Sequence, residues 1–362
     1  MDSEAGLQGF AETGQLRDNP RMPDSRLPTA RIVALDAFRG ATVAGMLLVN
    51  NPGTWSAIWW PLEHAEWHGW TPTDLIFPFF LFIVGITTEL SRKAPAGVFR
   101  RGLLIIACGL LLNLFPFFHF GELRFMGVLQ RIGLVYIVAA LIAYRSSRRS
   151  VLVTAAAILL AYWALLSLGP LQPPEATVAA RVDRALIPER HLWKQSRTWD
   201  PEGPLSTIPA VATALLGIAA APWVRSRNVK MLTIGGGAAA IAGLAWGFVL
   251  PINKNLWSSS YVVFTAGAAC LVLALWIAWL PAKPFVVFGA NPLVAFLGSG
   301  VMARCLGLIK VGGVSLQALS YRTLFKPYFS PQLASFLWAL AFVAVWYVLL
   351  LILYRRRVFL RL

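Results

Sequence analysis

Carboxylates are scarce in this sequence. Only 16 of its 362 residues are Asp or Glu, and none follows Glu202. Side-chain carboxylate chemistry must therefore come from the first 202 residues. The rest of the chain supplies neutral or basic groups, among them Asn253, Lys254 and Asn291. Charge of either sign is low, 13% of residues against 57% hydrophobic, where a soluble protein carries about a quarter charged. The three cysteines, Cys108, Cys270 and Cys305, lie in or beside apolar runs without metal spacing. They read as small core residues and imply no disulfide framework. P-loop, GxGxxG, HExxH and CxxC patterns are all missing, as are heptads and short repeats, so no metal site is expected. Near the N-terminus no apolar stretch of signal-peptide type occurs. Residues 1–29, polar and holding Pro, Gly and Arg, read as a disordered cytoplasmic tail. That leaves residues 30–362 as one membrane domain.

What is present is a series of apolar runs about 17–22 residues long, each a match to a hydrocarbon core of about 30 Å. Ten spans are expected: Ile32–Asn50, Asp74–Leu90, Phe99–Phe115, Val128–Tyr144, Val151–Leu168, Leu205–Ala221, Met231–Leu250, Tyr261–Leu280, Phe285–Met302 and Leu333–Tyr354. The ninth is loosened by Gly298 and Gly300. The fold class is an all-α polytopic membrane protein, a bundle of about ten transmembrane helices. A net charge of +16 would suggest nucleic acid in a soluble protein. Here the basic residues sit mostly in short loops between spans, so the expected partner is the lipid bilayer and not nucleic acid. With the N-terminus inside, the inner segments hold 19 Lys and Arg and the outer ones 12. The positive-inside rule then puts both termini in the cytoplasm of a cell (inner) membrane.

The outer side carries the long loops and all four histidines, His64, His68, His119 and His191. One stretch there, Leu62–Leu90, organises the rest. It begins as a polar loop with His64 and His68 and runs directly into an apolar helix. Thr71, Pro72 and Asp74 read as a helix start, with Thr71 at the N-cap and Asp74 three residues on. Pro78 has no N–H, so the carbonyl of Asp74 loses its helical partner. Imidazoles, a carboxylate and a free carbonyl are thus expected together at the mouth of a membrane helix.

The segment HAEWHGWTPTDLIFPFFLFIVG resembles the signature of the transmembrane acetyltransferases related to heparan-alpha-glucosaminide N-acetyltransferase. The likeness recurs, in family order, in LDAFRGATVAGMLLVNN, GVLQRIGLVY, DPEGPLSTIPAVATALLG and PINKNLWSSSYV. It implies acetyl-CoA as co-substrate, supplied from the cytoplasm, and an amino sugar or related glycan as acceptor on the far side. His64 falls on the family's proposed active-site histidine, and Asn50 is singled out as well. The best-known member has a large N-terminal domain on the far side, and no counterpart of it is expected here. The resemblance is therefore to a bacterial branch, with an envelope sugar expected in place of heparan sulfate. Two other classes stay open: a transporter or flippase of a sugar or lipid-linked sugar, and a non-catalytic scaffold.

Each candidate residue also has a plainer reading. His64 supplies an imidazole, a side chain suited to base, acid or nucleophile roles near neutral pH, or it anchors an interfacial loop beside Trp59, Trp60, Trp67 and Trp70. His68 is a supporting partner, a substrate contact or a loop contact. Asp74 caps a helix or orients His64 as the acid does in a triad. Asn50 and Asn51 end the first span before Pro52–Gly53, and a carboxamide there can donate to an oxyanion. Asp36 and Arg39 form a structural pair or meet an anionic cofactor group. Gln130 and Arg131 snorkel at a helix end or touch substrate, and Asn253 and Lys254 are further substrate-binding candidates. Association of two copies is left open.

The orientation is directly testable. A cysteine replacing Ala65, in a chain with its three native cysteines removed, should react with an impermeant maleimide on intact cells. Labelling only after lysis would reverse the topology.

Overall fold

The computed structural model describes residues 32–279 and 281–360. The reading of residues 1–29 as a disordered tail lies outside the described residues. Among those residues eight helical segments are long and apolar enough to cross a membrane. Seven are the helices α1 (Val33–Asn50), α3 (Pro95–Leu114), α5 (Arg148–Leu166), α7 (Pro204–Arg225), α8 (Val229–Trp246), α9 (Ser259–Ala278) and α13 (Pro331–Arg355). The eighth is Pro72–Ser91, which holds α2 (Ile76–Ser91). Two shorter apolar helices, α4 (Val128–Tyr144) and α11 (Pro292–Leu308), complete the set expected from hydropathy. Three short helices, α6 (Val178–Leu186), α10 (Phe285–Ala290) and α12 (Leu316–Leu324), and a two-residue hairpin, β1 (Lys310–Val311) with β2 (Val314–Ser315), occupy the connections. The protein is an all-α, multi-pass membrane protein.

The ninth expected span is corrected. Phe285–Met302 is not one helix but α10 followed by α11, with the break at Asn291. The glycines at 298 and 300 are not its cause. Pro292 at the first position of α11 has no N–H and disfavours helical geometry in the residue before it, so Asn291 leaves the helix at φ −132°. Its carboxamide, fully buried, is taken up by the chain end: Nδ2 donates to the Val358 carbonyl (3.0 Å) and Oδ1 accepts from the Leu360 N–H (2.9 Å). Nearby, Arg39 on α1 donates to the Gly289 carbonyl through Nε (3.0 Å) and Nη2 (2.7 Å), and pairs with Asp36 at 2.5 Å. Arg39 thereby satisfies a carbonyl at the open end of α10.

The helix that carries the His64 loop is held by close backbone approach. A methyl group on Gly85 of α2 would stand 2.0 Å from the Ala214 carbonyl oxygen of α7, and one on Gly217 of α7 would stand 2.1 Å from that of Phe82. Only glycine lets the two backbones meet there, as small residues do between membrane helices generally. Around this seam Phe82, Ile83, Ile86 and Val224 are buried. Gly85→Ala should lower thermal stability in mild detergent by about 1–3 kcal/mol, the usual cost of overpacking. Gly97→Ala, where an added methyl meets only the Lys93 side chain at 3.8 Å, is the neutral control.

Candidate active site

Pro72 starts a 3-10 turn, Pro72–Leu75, that leads into α2. Thr71 precedes it in an extended conformation, and its N–H donates to Asp74 Oδ2 at 3.0 Å. The same oxygen accepts from the Ala65 N–H at 3.0 Å. The capping geometry read from the sequence therefore uses one carboxylate oxygen and leaves the other, Oδ1, for His64. Nδ1 of His64 lies 2.7 Å from it. An ionised carboxylate only accepts, so Nδ1 carries a proton, and in the neutral ring the Nε2 lone pair points away. Asp74 is 1% exposed while the His64 side chain is 48% exposed. A buried acid thus orients an accessible imidazole.

The carbonyl that Pro78 leaves without a helical partner is not free. Tyr261 at the start of α9 donates its hydroxyl to it at 2.5 Å. This corrects the expectation of an available carbonyl at the helix mouth. The contact also ties the α2 entrance to α9.

Lys254 is the third member of the group. Its Nζ stands 3.0 Å from Nδ1 and 3.1 Å from Nε2 of His64, and 3.6 Å from Asp74 Oδ1. Near-equal distances to both ring nitrogens put the ammonium over the face of the ring, since an in-plane position would collide with the carbon between them. Burial pulls the Lys254 ammonium below the usual lysine range, while Asp74 and Glu202 oppose that shift.

A tight turn presents Lys254. Asn253 Oδ1 accepts from Leu256 N–H at 2.8 Å, Asn253 N–H donates to Ser258 Oγ at 3.0 Å, and Trp257 sits at φ 52°. The left-handed conformation of so bulky a residue costs on the order of 1–3 kcal/mol. It is held because Trp257 is 1% exposed and anchored by Thr213, to which Nε1 donates at 3.1 Å. Asn253 also reaches His68, Nδ2 to Nδ1 at 3.3 Å. Burial lowers the pKa of that second histidine. The structure thus brings His64, Asp74, Lys254, Asn253 and His68 into one cluster.

Asn50 and Gln130 lie elsewhere. They line a cavity of about 400 Å³ at the same end of the bundle, together with Asn51, Asn113, Arg124, Ser299 and Arg304. Gln130 is 3% exposed, and its Nε2 meets no acceptor among the described residues. Arg131 is wholly buried, which excludes snorkelling. Its guanidinium stacks over Trp257 at 4.9 Å, bonds to Ser206, and lies 3.3 Å from Thr207 Oγ1. Arg131 therefore supports the turn that holds Lys254.

Beside it is an ion cluster that the sequence reading did not pick out. Arg124 grips Asp200 with Nε at 2.8 Å and Nη2 at 2.5 Å, and reaches Glu202 at 2.5 Å. Burial opposes the charge on Glu202, but Arg124 and Arg131 outweigh it and hold the carboxyl below its ordinary range. The signal was present in the sequence: Asp200 and Glu202 open the block before α7, and Glu202 is the last acid in the chain. What was missing was the partner, 76 residues earlier.

Residues 31–246 match the family described as heparan-alpha-glucosaminide N-acetyltransferase, catalytic. The chain belongs to this family. It is 28% identical over 365 residues to heparan-alpha-glucosaminide N-acetyltransferase of Mus musculus, covering 77% of this chain and 55% of that protein. To the Homo sapiens protein of the same name it is 28% identical over 361 residues, with 76% and 54% covered. The chain thus spans about half the length of these relatives. His64 and Asp74 fall inside the family match, whereas the Lys254 turn lies beyond its end at residue 246.

Asp183 on α6 makes a pH test. Burial, with Asp200 close by, pushes its carboxyl up to about 7. Below the unfolded value of 3.8 both states hold the proton. Between that and about 7 the unfolded chain releases it while the folded one keeps it, so stability falls as pH rises and the loss is complete above about 7. Asp183→Asn should flatten the decline in melting temperature between pH 5 and 8. An unchanged slope would assign the pH dependence to another group.

Proposed function

We propose that this chain is an integral-membrane acetyltransferase that moves an acetyl group from acetyl-CoA to the amine of an amino sugar, with His64 as the reacting side chain. The observation that carries this reading is the His64–Asp74 contact at 2.7 Å, which leaves Nε2 unprotonated and accessible. In the first step Nε2 attacks the thioester carbon. A C–N bond forms, the C–S bond breaks, and CoA leaves as thiol once protonated. In the second, the neutral acceptor amine attacks the acyl-imidazolium; the amide forms, the Nε2–C bond breaks, and Nε2 takes the amine's proton and releases it to water, which balances the proton taken up by the departing thiolate and restores the neutral ring. Asp74 stabilises the charged ring and fixes its tautomer. The cavity walled by Asn50, Gln130, Arg124 and Arg304, about 400 Å³, is large enough for a hexosamine or for the acyl-bearing arm of the donor, and its donors suit carbonyl and hydroxyl oxygens. Acceptor transfer takes place on the side of the Asn51–Thr73 loop; the bias of basic residues supports the outer side of a cell membrane for it.

The transporter reading would draw on the helix break at Asn291, since transporters bind substrates at interrupted helices. At this break, though, the Asn291 carboxamide is occupied by the chain end and the Gly289 carbonyl by Arg39. That placement also favours a structural role for Asp36 and Arg39 over contact with the donor.

Transfer of labelled acetyl from acetyl-CoA to glucosamine by purified protein is the test. Wild type should turn over and His64→Ala should not. Asp74→Asn, which keeps an acceptor but loses the charge, should retain partial activity. Asn50→Ala should lower kcat/KM by on the order of 10²-fold. Full turnover by a well-folded His64→Ala variant would sink the assignment.

A further inference from the structure

We infer that Lys254 is a self-acetylation site, an internal acceptor that captures the acetyl group from His64 when no amino sugar is bound. The inference rests on the acyl-transfer reading of His64 given above. Nζ lies 3.1 Å from His64 Nε2, the atom that carries the acyl group, and is nearly equidistant from Nδ1 at 3.0 Å. It therefore stands over the ring face. An acyl group on Nε2 is conjugated with the imidazole and lies close to its plane. Its carbonyl carbon is open to attack from above and below, and Lys254 already occupies one of those two sides. An acceptor amine must approach along the same kind of path, so Lys254 stands where the substrate amine has to arrive or beside it. The lysine side chain is 18% exposed, and the turn built on Asn253, Ser258 and Trp257 restrains its root.

The step balances without an added reagent. Neutral Nζ attacks the acyl carbon, the new N–C amide bond forms, the Nε2–C bond breaks, and the proton lost by the amine goes to the imidazole. What protects the lysine is its charge. Asp74 and Glu202 favour the ammonium, which has no lone pair, while burial and Arg131 favour the neutral amine. His64 is the other titratable group within reach. Below the lysine's pKa each pH unit raises the neutral fraction tenfold, so self-acetylation is slow at low pH and rises with it. The product amide brings no cation to the ring face or to Asp74 and is bulkier over the ring, so it silences the site.

The full-length protein in mild detergent is incubated with deuterated acetyl-CoA at pH 6.5, 7.5 and 8.5, without acceptor, and then digested for peptide mass spectrometry. Lys194, whose side chain is 63% exposed, reports the background of direct thioester acetylation. Label on Lys254 should exceed that on Lys194, rise with pH, and fall tenfold or more when glucosamine is added. It should vanish in His64→Ala and in His64→Gln while Lys194 stays labelled. Wild-type protein that acetylates glucosamine but labels Lys254 no more than Lys194 overturns the inference and leaves the acyltransferase reading intact. Equal Lys254 labelling in both His64 variants also overturns it, because the group then arrives without the relay. Protein that labels neither glucosamine nor Lys254 overturns both.

Discussion

The carboxylate of Asp74 is shared between two tasks, and the local architecture depends on that division. One oxygen accepts from the backbone N–H groups of Ala65 and Thr71 and so closes the loop onto the start of the helix. The other holds the imidazole of His64. A carboxylate with only 1% of its side chain exposed must have its acceptor sites filled, because leaving them unpaired in a dry setting costs several kcal/mol. Loop shape, helix start and histidine orientation are therefore satisfied together. Loss of the carboxylate would release all three.

Around that point the later helices contribute orientation and positive charge. Tyr261 takes the Asp74 carbonyl that Pro78 cannot. Lys254 brings an ammonium to the ring, at the end of a turn whose left-handed Trp257 is packed between Arg131 and Phe77. The negative counterweight lies one layer out, in Asp200 and Glu202 clasped by Arg124. Charges so deep in the bundle are tolerable only when paired in this way. They also bind the long loop between α5 and α7 to the segment that leads into α4. Family membership accords with this division, since the matched residues 31–246 include the acid and the imidazole while the Lys254 turn follows them.

Much of the architecture is legible in the sequence, because a bilayer demands about 20 apolar residues per helical span and leaves a strong one-dimensional signal. The expected span that the structure divides is divided by a proline. Asn291–Pro292 divides a span that hydropathy alone reads as continuous. Hydropathy cannot see the break because the residues on both sides remain apolar. The His64–Asp74 pair was also readable, since the two lie ten residues apart on either side of a helix start. Asn50, read from the sequence as a carboxamide donor at the end of the first span, lines a cavity with Gln130, a neighbour that local sequence does not name.

The sequence by itself determined the membrane class, the approximate spans, the loop that bears the histidines and the residue that caps the turn leading into α2. These follow from local composition and from chain neighbours. Only the tertiary structure decided that Lys254, 190 residues from His64, stands over its ring. It alone decided that Tyr261 closes the open carbonyl and that Arg131 is a buried support for Trp257. Such contacts join separate helices. They are set by how glycine-lined helix faces approach and by how buried polar groups find partners, and neither leaves a local pattern along the chain.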